Sequence, residues 1–134
     1  MVKFKKVREE DVPLLQELAR VSWQSAYTDI LSQEQIDYML ENMYSDQEIK
    51  TQLKDPNYHY YFICEHETDC QGFIGFETNY EEKTTKLHRI YLIEKAKRRG
   101  LGKAALEFLK AEAKTHGDNR IILNVNKENP AKVF

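Results

Sequence analysis

Hydrophobic and polar positions alternate along residues 2–7, VKFKKV, as they do in a half-buried β-strand. Over residues 12–27 the spacing of the apolar residues changes to about 3.6, which predicts an amphipathic helix. Asp11 is placed to cap this helix, and Pro13 suits its first turn. The start of the chain therefore predicts a strand followed by a long helix.

Repeated start signals predict two shorter helices next. Ser32 and Gln35 form a capping-box pattern ahead of apolar positions, and Ser45 and Glu48 repeat that pattern further along. The tripeptide Asp55-Pro56-Asn57 is a turn signal, and it ends this helical region.

Strand-like runs dominate the middle of the chain. Short polar connections of the kind found in antiparallel hairpins join the three runs, at 58–66, 71–80 and 85–93. An amphipathic helix is predicted from about Gly100 to His116. Residues 120–125, RIILNV, are apolar enough for a buried strand.

The predicted order is thus β-α-α-α-β-β-β-α-β-(α), with the last helix beginning in the terminal residues NPAKVF. Strand 85–93, helix 100–116 and strand 120–125 form a β-α-β unit, whose two strands should run parallel with a right-handed crossover. With 134 residues, the chain is expected to form one domain over 1–134. The fold class is α/β (α+β), a mixed central sheet flanked by helices.

Composition narrows the function classes. The net charge is −2 and the pI is about 6.1, whereas nucleic-acid-binding domains are usually basic overall. A nucleic-acid module is therefore a weak alternative, carried only by one basic stretch. No segment approaches the roughly 20 apolar residues of a membrane span, and no secretory signal pattern is present. A soluble, cytoplasmic protein is expected.

The two cysteines are Cys64 and Cys70, with His66 between them. If residues 58–80 form a hairpin that turns around Thr68-Asp69, Cys64 pairs near Phe73 and the two thiols are offset along the ladder. There is no second pair of metal ligands nearby in the sequence. We therefore expect two free thiols and no metal site.

The most informative stretch is 96–106, AKRRGLGKAAL, which lies between a predicted strand and a predicted helix. Glycines at 100 and 102 let the backbone approach a ligand closely, and helix N-termini attract anions. The spacing matches neither the P-loop nor the dinucleotide-binding fingerprint. A strand, then basic-x-x-Gly-x-Gly, then a helix is a more specific pattern, and it predicts an anion site.

This pattern resembles the pyrophosphate loop of the GNAT superfamily of N-acetyltransferases, Q/R-x-x-G-x-G/A. LHRIYLIEKA is similar to the fourth strand of that family, and NKENPA is similar to its later asparagine-containing motif. SWQSAYTDILSQEQIDYML is similar to the first helical region of small-molecule members. The resemblance covers the whole chain and implies an acetyl-CoA-dependent N-acetyltransferase.

The resemblance also implies a binding site for acetyl-CoA, the acetyl donor. The backbone around Ile90 and Leu92 would hold the pantetheine arm like an added strand, and a bulge there would open a slot. Asn129, or Asn126 in another register, would contact the arm. The pyrophosphate would lie on the loop residues Arg98, Arg99, Gly100, Leu101, Gly102 and Lys103.

Catalytic and acceptor residues are implied in the same way. His88, two residues before Ile90 and so on its face, matches a histidine base in the arylalkylamine branch; a surface histidine is the equal alternative. Glu77 is a weaker candidate. Trp23 and Tyr27 share one helix face, and they either belong to the core or form the wall of an acceptor site.

The sequence departs from the family pattern at two places. Lys97 stands where the family has Gln or Arg, which keeps the charge but loses the bidentate geometry. A tyrosine that protonates the departing thiolate usually lies just past the position of Phe134, so the C-terminal strands are expected to be missing. A non-catalytic acetyl-CoA-binding relative is therefore the alternative function. The acceptor is expected to be a small polyamine-like amine or a peptide, and a homodimer is one candidate arrangement.

Overall fold

A computed structural model describes residues 2–66, 69–93 and 100–123. Their order agrees with the predicted one, and the terminal helix expected at NPAKVF lies outside them. A single 3-10 turn, Glu9–Asp11, precedes the first helix. The elements are β1 (Lys3–Lys6), α1 (Val12–Tyr27), α2 (Gln33–Met43), α3 (Asp46–Lys54), β2 (Tyr58–His66), β3 (Asp69–Glu81), β4 (Thr84–Leu92), α4 (Leu101–Thr115) and β5 (Arg120–Leu123).

The predicted start signals lie at the helix starts. Ser32 Oγ accepts a hydrogen bond from the Gln35 N–H at 3.2 Å, and the Gln35 side chain accepts one from the Ser32 N–H at 2.9 Å. Ser45 Oγ accepts from the Glu48 N–H in the same way, at 3.2 Å. Asp11 stands at the N-cap of α1, but its carboxylate accepts from the Arg8 N–H instead of from the helix.

The strands of the described residues form one five-stranded mixed sheet at the centre of this α+β domain, in the order β1-β2-β3-β4-β5. The first four strands are antiparallel to their neighbours, and β5 runs parallel to β4, as predicted for the β-α-β unit. Helices α1, α2 and α3 pack on one face around buried residues such as Leu15 and Phe73. Helix α4 packs on the other face around residues such as Ile74 and Leu109. Among the described helices, none combines the length and the apolar composition of a membrane span.

The cysteine pairing differs from the prediction. Cys64 on β2 stands directly opposite Cys70 on β3, because the register shifts between Ile63 and Cys64. A regular ladder would continue from the Ile63–Gly72 pair and leave the cysteines offset, so the expectation of offset thiols is wrong. Both thiols are free in this structure.

Candidate functional site

The last residues of β4 have backbone groups that point away from β3. The Ile93 N–H donates to the Gln71 carbonyl on β3 at 2.9 Å. Because N–H directions alternate along an extended strand, the N–H groups of Leu92 and Ile90 point to the β5 side. Within the described residues, β5 pairs with β4 only as far as Leu87 opposite Leu123. We call this backbone edge of Ile90–Leu92 the β4 edge.

Beside the β4 edge, the backbones of β3 and β4 approach each other so closely that a glycine is required. A Cβ on Gly72 would lie 2.1 Å from the Tyr91 carbonyl oxygen and 3.0 Å from the Leu92 Cα. Real Cβ atoms do not come that near to a backbone atom, so only glycine lets β3 and β4 meet at this point. The side chains of Ile90 and Leu92 pack against the buried residues beneath α4, such as Leu101 and Leu109, which we call the α4 core. Their backbone is left for a ligand.

The start of α4 forms the second part of this region. Gly100 is the N-cap residue, with a φ of +78°, a left-handed conformation that glycine adopts without strain. The first intrahelical bond runs from the Ala104 N–H to the Gly100 carbonyl at 3.1 Å. The N–H groups of Leu101, Gly102 and Lys103 precede that bond, so the helix itself offers them no acceptor. Such groups bind anions, and the helix dipole adds positive potential.

The residues predicted to bind the pyrophosphate differ in burial, and some of them lie outside the described residues. Apart from Gly100, its chain neighbours and the backbone of α4, no described atom lies within 4 Å of the position that a Gly100 Cβ would occupy, so the described residues leave room beside the turn. Lys103 is exposed, whereas the Leu101 side chain is buried in the α4 core and leaves only its backbone for binding. Arg98, Arg99 and Asn129 lie outside the described residues, as does Asn126.

A cavity of about 710 Å³ opens on the other side of β4, between that strand and helices α1 and α2. We call it the α1–α2 cavity. Its walls are mostly aromatic and aliphatic, and Glu34 is the one acidic residue among the described lining residues. These are Trp23, Tyr27, Ile30, Leu31, Glu34, Gln35, Tyr38, Met39, Met43 and Tyr91.

Three aromatic side chains form the floor of the α1–α2 cavity. The rings of Trp23 and Tyr27 lie 4.4 Å apart between centroids, and Trp23 lies 6.1 Å from Tyr91. The hydroxyls of Tyr27 and Tyr91 are 3.5 Å apart. Trp23 and Tyr27 are 5% and 6% exposed, so they both belong to the core and line the cavity. The two interpretations of these residues are therefore compatible.

The polar lining lies on α2. The Gln35 side-chain oxygen is occupied by the capping box, because it accepts from the Ser32 N–H. Glu34 is exposed at the rim, in the first turn of α2. Tyr38, four residues further along α2, is 67% exposed and completes the rim. A mainly apolar wall with one carboxylate suits a ligand with an apolar body and a single cationic group.

His88 does not share the face of Ile90, so the predicted geometry of the candidate base is wrong. Gly75 pairs with Arg89 and the next residue of β3, Phe76, pairs with Leu87, which leaves His88 as the extra residue of a β-bulge. Ile90 packs towards α4, whereas His88 stacks on Tyr58, which packs against the α1 core. The bulge reverses the alternation and places His88 on the same face as Tyr91.

The contacts of His88 are those of a positioned histidine. Its Nε2 lies 3.0 Å from Glu77 Oε1, and its ring stacks on Tyr58 at 5.0 Å. Burial lowers the pKa of His88; the hydrogen bond with Glu77 partly opposes this, and the charges of Lys86 and Arg89 lower the pKa further. The imidazole is therefore neutral around pH 7 and able to accept a proton.

Arg89, the other residue of the bulge, was not predicted from the sequence as a site residue. Its Nη1 donates to the Tyr60 hydroxyl at 2.7 Å and to the Met43 carbonyl at 3.1 Å. The guanidinium also lies 4.5 Å from the centroid of the Tyr44 ring. These contacts hold the end of α2 against the sheet and so fix one side of the α1–α2 cavity. The available signal was an arginine directly before the apolar residues Ile90–Leu92 of a predicted strand.

Metal chemistry has no support in the described part of the chain. No three His, Cys, Asp or Glu side chains come together there as metal ligands would.

Comparisons with known proteins can be set beside this geometry. The model of the acetyltransferase (GNAT) family matches residues 14–133. PaiA N-acetyltransferase from Thermoplasma acidophilum, solved in complex with coenzyme A, is 23% identical, with a TM-score of 0.87 over 98% of this chain and 84% of that one. No curated protein sequence matched.

Two further solved structures are similar. An acetyltransferase from Thermus thermophilus is 21% identical, with a TM-score of 0.77 over 97% of this chain and 79% of that one. A predicted acetyltransferase from Clostridium acetobutylicum, solved with acetyl-CoA, is 17% identical, with a TM-score of 0.70 over 97% and 84%. At these identities the structures show a shared fold, and the family match extends over most of the sequence. The chain belongs to the acetyltransferase (GNAT) family.

Proposed function

We propose that the protein transfers the acetyl group of acetyl-CoA to a primary amine, by direct attack when both are bound. One observation carries this proposal: the β4 edge and the α1–α2 cavity share the strand β4, since Tyr91 lines the cavity and lies between Ile90 and Leu92 of the edge. A thioester laid along the edge and an amine held in the cavity would meet at β4. Holding the two reactants together supplies much of the rate enhancement in a reaction of this kind.

Acetyl-CoA binding is proposed for the β4 edge and the start of α4. The backbone of Ile90 and Leu92 pairs with the amide groups of the pantetheine arm, as an added strand would. The pyrophosphate would lie against the N–H groups of Gly100 to Lys103, where the resemblance implies that Arg98 and Arg99 add positive charge. Asn129 would contact the arm, as the resemblance also implies. The thioester supplies the acetyl group when acetyl-CoA is bound.

The acceptor is proposed to be an amine with an apolar body. Trp23 and Tyr27 form the wall against which that body packs, and Glu34 at the rim attracts the positive charge of the incoming amine. A polyamine carries several charges at neutral pH and would need more carboxylates than the single one in the described lining. The lining therefore favours a monoamine, or a peptide with an apolar first residue, over the polyamine suggested by the sequence.

His88 is proposed as the base that removes the proton of the amine. An alkyl amine has a pKa of about 10.4, so only about one molecule in 10³ is neutral at pH 7. Tyr91 lines the cavity and His88 precedes it by three residues, a distance of roughly 10 Å along a strand. The proton would therefore reach His88 through water, with Glu77 orienting the imidazole.

Two assays test the proposal in sequence. The first is the thermal shift with acetyl-CoA, with CoA and ATP as controls; a ligand at 100 times its Kd stabilises a protein by about 2.7 kcal/mol. We expect shifts with acetyl-CoA and CoA and little shift with ATP. The second is product detection by mass spectrometry with hexylamine, phenethylamine, spermidine and a peptide that begins with leucine.

The outcomes separate the parts of the proposal. Acetylation of hexylamine or phenethylamine at the highest kcat/KM is the expected result. Spermidine as the best substrate would contradict the acceptor assignment alone. Binding of acetyl-CoA without acetylation of any amine would favour the non-catalytic alternative, and no binding would contradict the whole proposal.

A further inference from the structure

We propose that Cys64 and Cys70 are a site of reversible oxidation, where a peroxide converts the two thiols to an intramolecular disulfide. The chain contains two cysteines, and the register shift at Ile63 and Cys64 brings both to one position of the β2–β3 ladder. This site is separate from the proposed acetyl transfer and does not depend on it.

The backbone already has the arrangement that a disulfide needs. Directly opposed residues of an antiparallel pair have Cα atoms roughly 4.5–5.5 Å apart, within the roughly 4.4–6.8 Å found in disulfides. Both side chains also point to the same face, because Cys64 lies in the α1 core and Cys70 packs against that core. The two sulfur atoms are in contact, with Cys64 Sγ 2.6 Å from Cys70 Sγ. The bond therefore requires no change of register.

The two thiols differ in accessibility, and this difference decides which of them reacts with the oxidant first. Cys64 is fully buried and Cys70 is half-buried, so an oxidant reaches Cys70 first. Burial raises the pKa of the Cys64 thiol to about 12, and its hydrogen bond with Cys70 acts in the same direction. Cys64 is therefore a poor first nucleophile and is placed to react in the second step.

The reaction balances with hydrogen peroxide as the oxidant. The Cys70 sulfur attacks one peroxide oxygen, the O–O bond breaks, and a sulfenic acid and one water form. The Cys64 sulfur then attacks the Cys70 sulfur, the S–OH bond breaks, and the hydroxide leaves as a second water with the Cys64 proton. Two thiols lose two electrons in total and the peroxide gains them. A dithiol reductant reverses the change by exchange.

The position of the pair connects it to the β4 edge. Cys70 is followed by Gln71, whose carbonyl accepts the Ile93 N–H, and then by Gly72, which pairs with Leu92. A covalent bond beside the His66–Asp69 pair, with which the β2–β3 ladder ends, would hold the strand on which the end of β4 rests. The disulfide is therefore expected to raise the Tm by roughly 5 °C.

The test treats the folded chain with hydrogen peroxide and measures intact mass and thiol count. We expect the mass to fall by about 2 Da, both thiols to disappear, and dithiothreitol to restore them. Methionine oxidation adds mass but leaves the thiol count unchanged. Cleavage after Glu65 in the unfolded chain separates the cysteines onto two peptides, which stay joined only if the disulfide is present.

A matched variant, Cys70→Ser, keeps the buried Cys64 and should resist the peroxide. Three results would overturn the proposal. One is a gain of oxygen at Cys70 without loss of the Cys64 thiol, and another is no thiol loss in the folded chain under conditions that oxidise the unfolded chain. The third is a fall in the Tm on disulfide formation, since it would show that the native register does not accept the bond.

Discussion

The two sides of β4 present different chemistry to a ligand. Along the β4 edge and at the start of α4 the available groups are backbone N–H groups, and side chains such as Leu101 are turned into the core. In the α1–α2 cavity the available groups are side chains, most of them aromatic or aliphatic, that come from α1, α2, the turn between them and β4. The first surface depends on where the backbone goes, and the second depends on which residues occupy it.

This difference has a consequence for substitution. A backbone site tolerates changes of side chain until one of them adds charge or bulk in the way of the ligand. A side-chain site changes its preference with nearly every substitution of the lining. The expected result is one region whose defects reduce acetyl-CoA binding and another whose defects reduce amine selection.

The largest effect is expected from Gly102→Asp, in the first turn of α4. A carboxylate beside the proposed pyrophosphate site costs about 4 kcal/mol per charge pair at 4 Å and an effective dielectric constant near 20, or roughly 10³-fold in the Kd for acetyl-CoA. An acidic residue in the first turn of a helix interacts favourably with the helix dipole, so the Tm should not fall. Isothermal titration and thermal melting measure the two quantities.

Gly102→Asn is the matched control for this variant, because it adds nearly the same volume without the charge. It should weaken acetyl-CoA binding far less. Equal losses in both variants would mean that bulk, and not charge, governs the site. Normal acetyl-CoA binding by Gly102→Asp would show that the pyrophosphate does not bind at the start of α4.

The next effect is one of stability. Gly72→Ala should lower the free energy of unfolding by about 3 kcal/mol, because its Cβ would meet the Tyr91 backbone, which cannot move aside without breaking the sheet. Gly75→Ala should cost less, since its Cβ would lie 2.7 Å from the Tyr60 ring, and a side chain gives way more readily than the backbone of a paired strand. Denaturant unfolding compares the two, and a larger loss in Gly75→Ala would contradict the assignment of Gly72 as the closer contact.

His88→Gln tests the link between the two regions. If His88 is the base, kcat/KM should fall by about 100-fold. In the unchanged protein the rate should rise with pH through a midpoint below about 6.5, because the pKa of His88 is lowered and the neutral form is the active one. That limb should vanish in the variant.

The control is His66→Gln, an exposed histidine at the end of β2. It should leave the pH profile unchanged. If the acidic limb of the profile persists in His88→Gln, another group accepts the proton, and His88 has a structural role beside Tyr58 and Glu77.

The smallest effect is expected from Glu34→Gln at the rim of the α1–α2 cavity. An exposed ion pair contributes less than about 1 kcal/mol, so the KM for the amine should rise about fivefold while the Kd for acetyl-CoA stays the same. Glu41→Gln, on the same helix and outside the described lining, is the control. If Glu34→Gln weakened acetyl-CoA binding instead, the assignment of Glu34 to the acceptor site would be contradicted.

Local pattern was enough for most of the fold. The periods of 2 and 3.6 and the signals at Ser32 and Ser45 predicted the order of elements, because they reflect interactions between neighbours in the chain. The glycine turn before α4 was predictable for the same reason: a positive φ at Gly100 is a local requirement.

The register of the sheet was not predictable in this way. The bulge at His88 and the shift at Cys64 each add one residue to a strand, and one residue reverses every side chain beyond it. The sequence pattern assumed regular ladders, so it placed His88 on the face of Ile90 and separated the two cysteines. For the cysteines the register of the whole hairpin was also misjudged, because Phe73 pairs with Phe62 and not with Cys64.

The elements, their order and the glycine turn before α4 depend on residues a few positions apart, so the sequence was enough to predict them. The α1–α2 cavity depends on tertiary packing, which the sequence pattern did not predict. Its floor joins Trp23 and Tyr27 to Tyr91, and Arg89 holds the end of α2 in place through Met43. Contacts between residues so distant in the chain arise from the packing of helices on a sheet, and no local period encodes them.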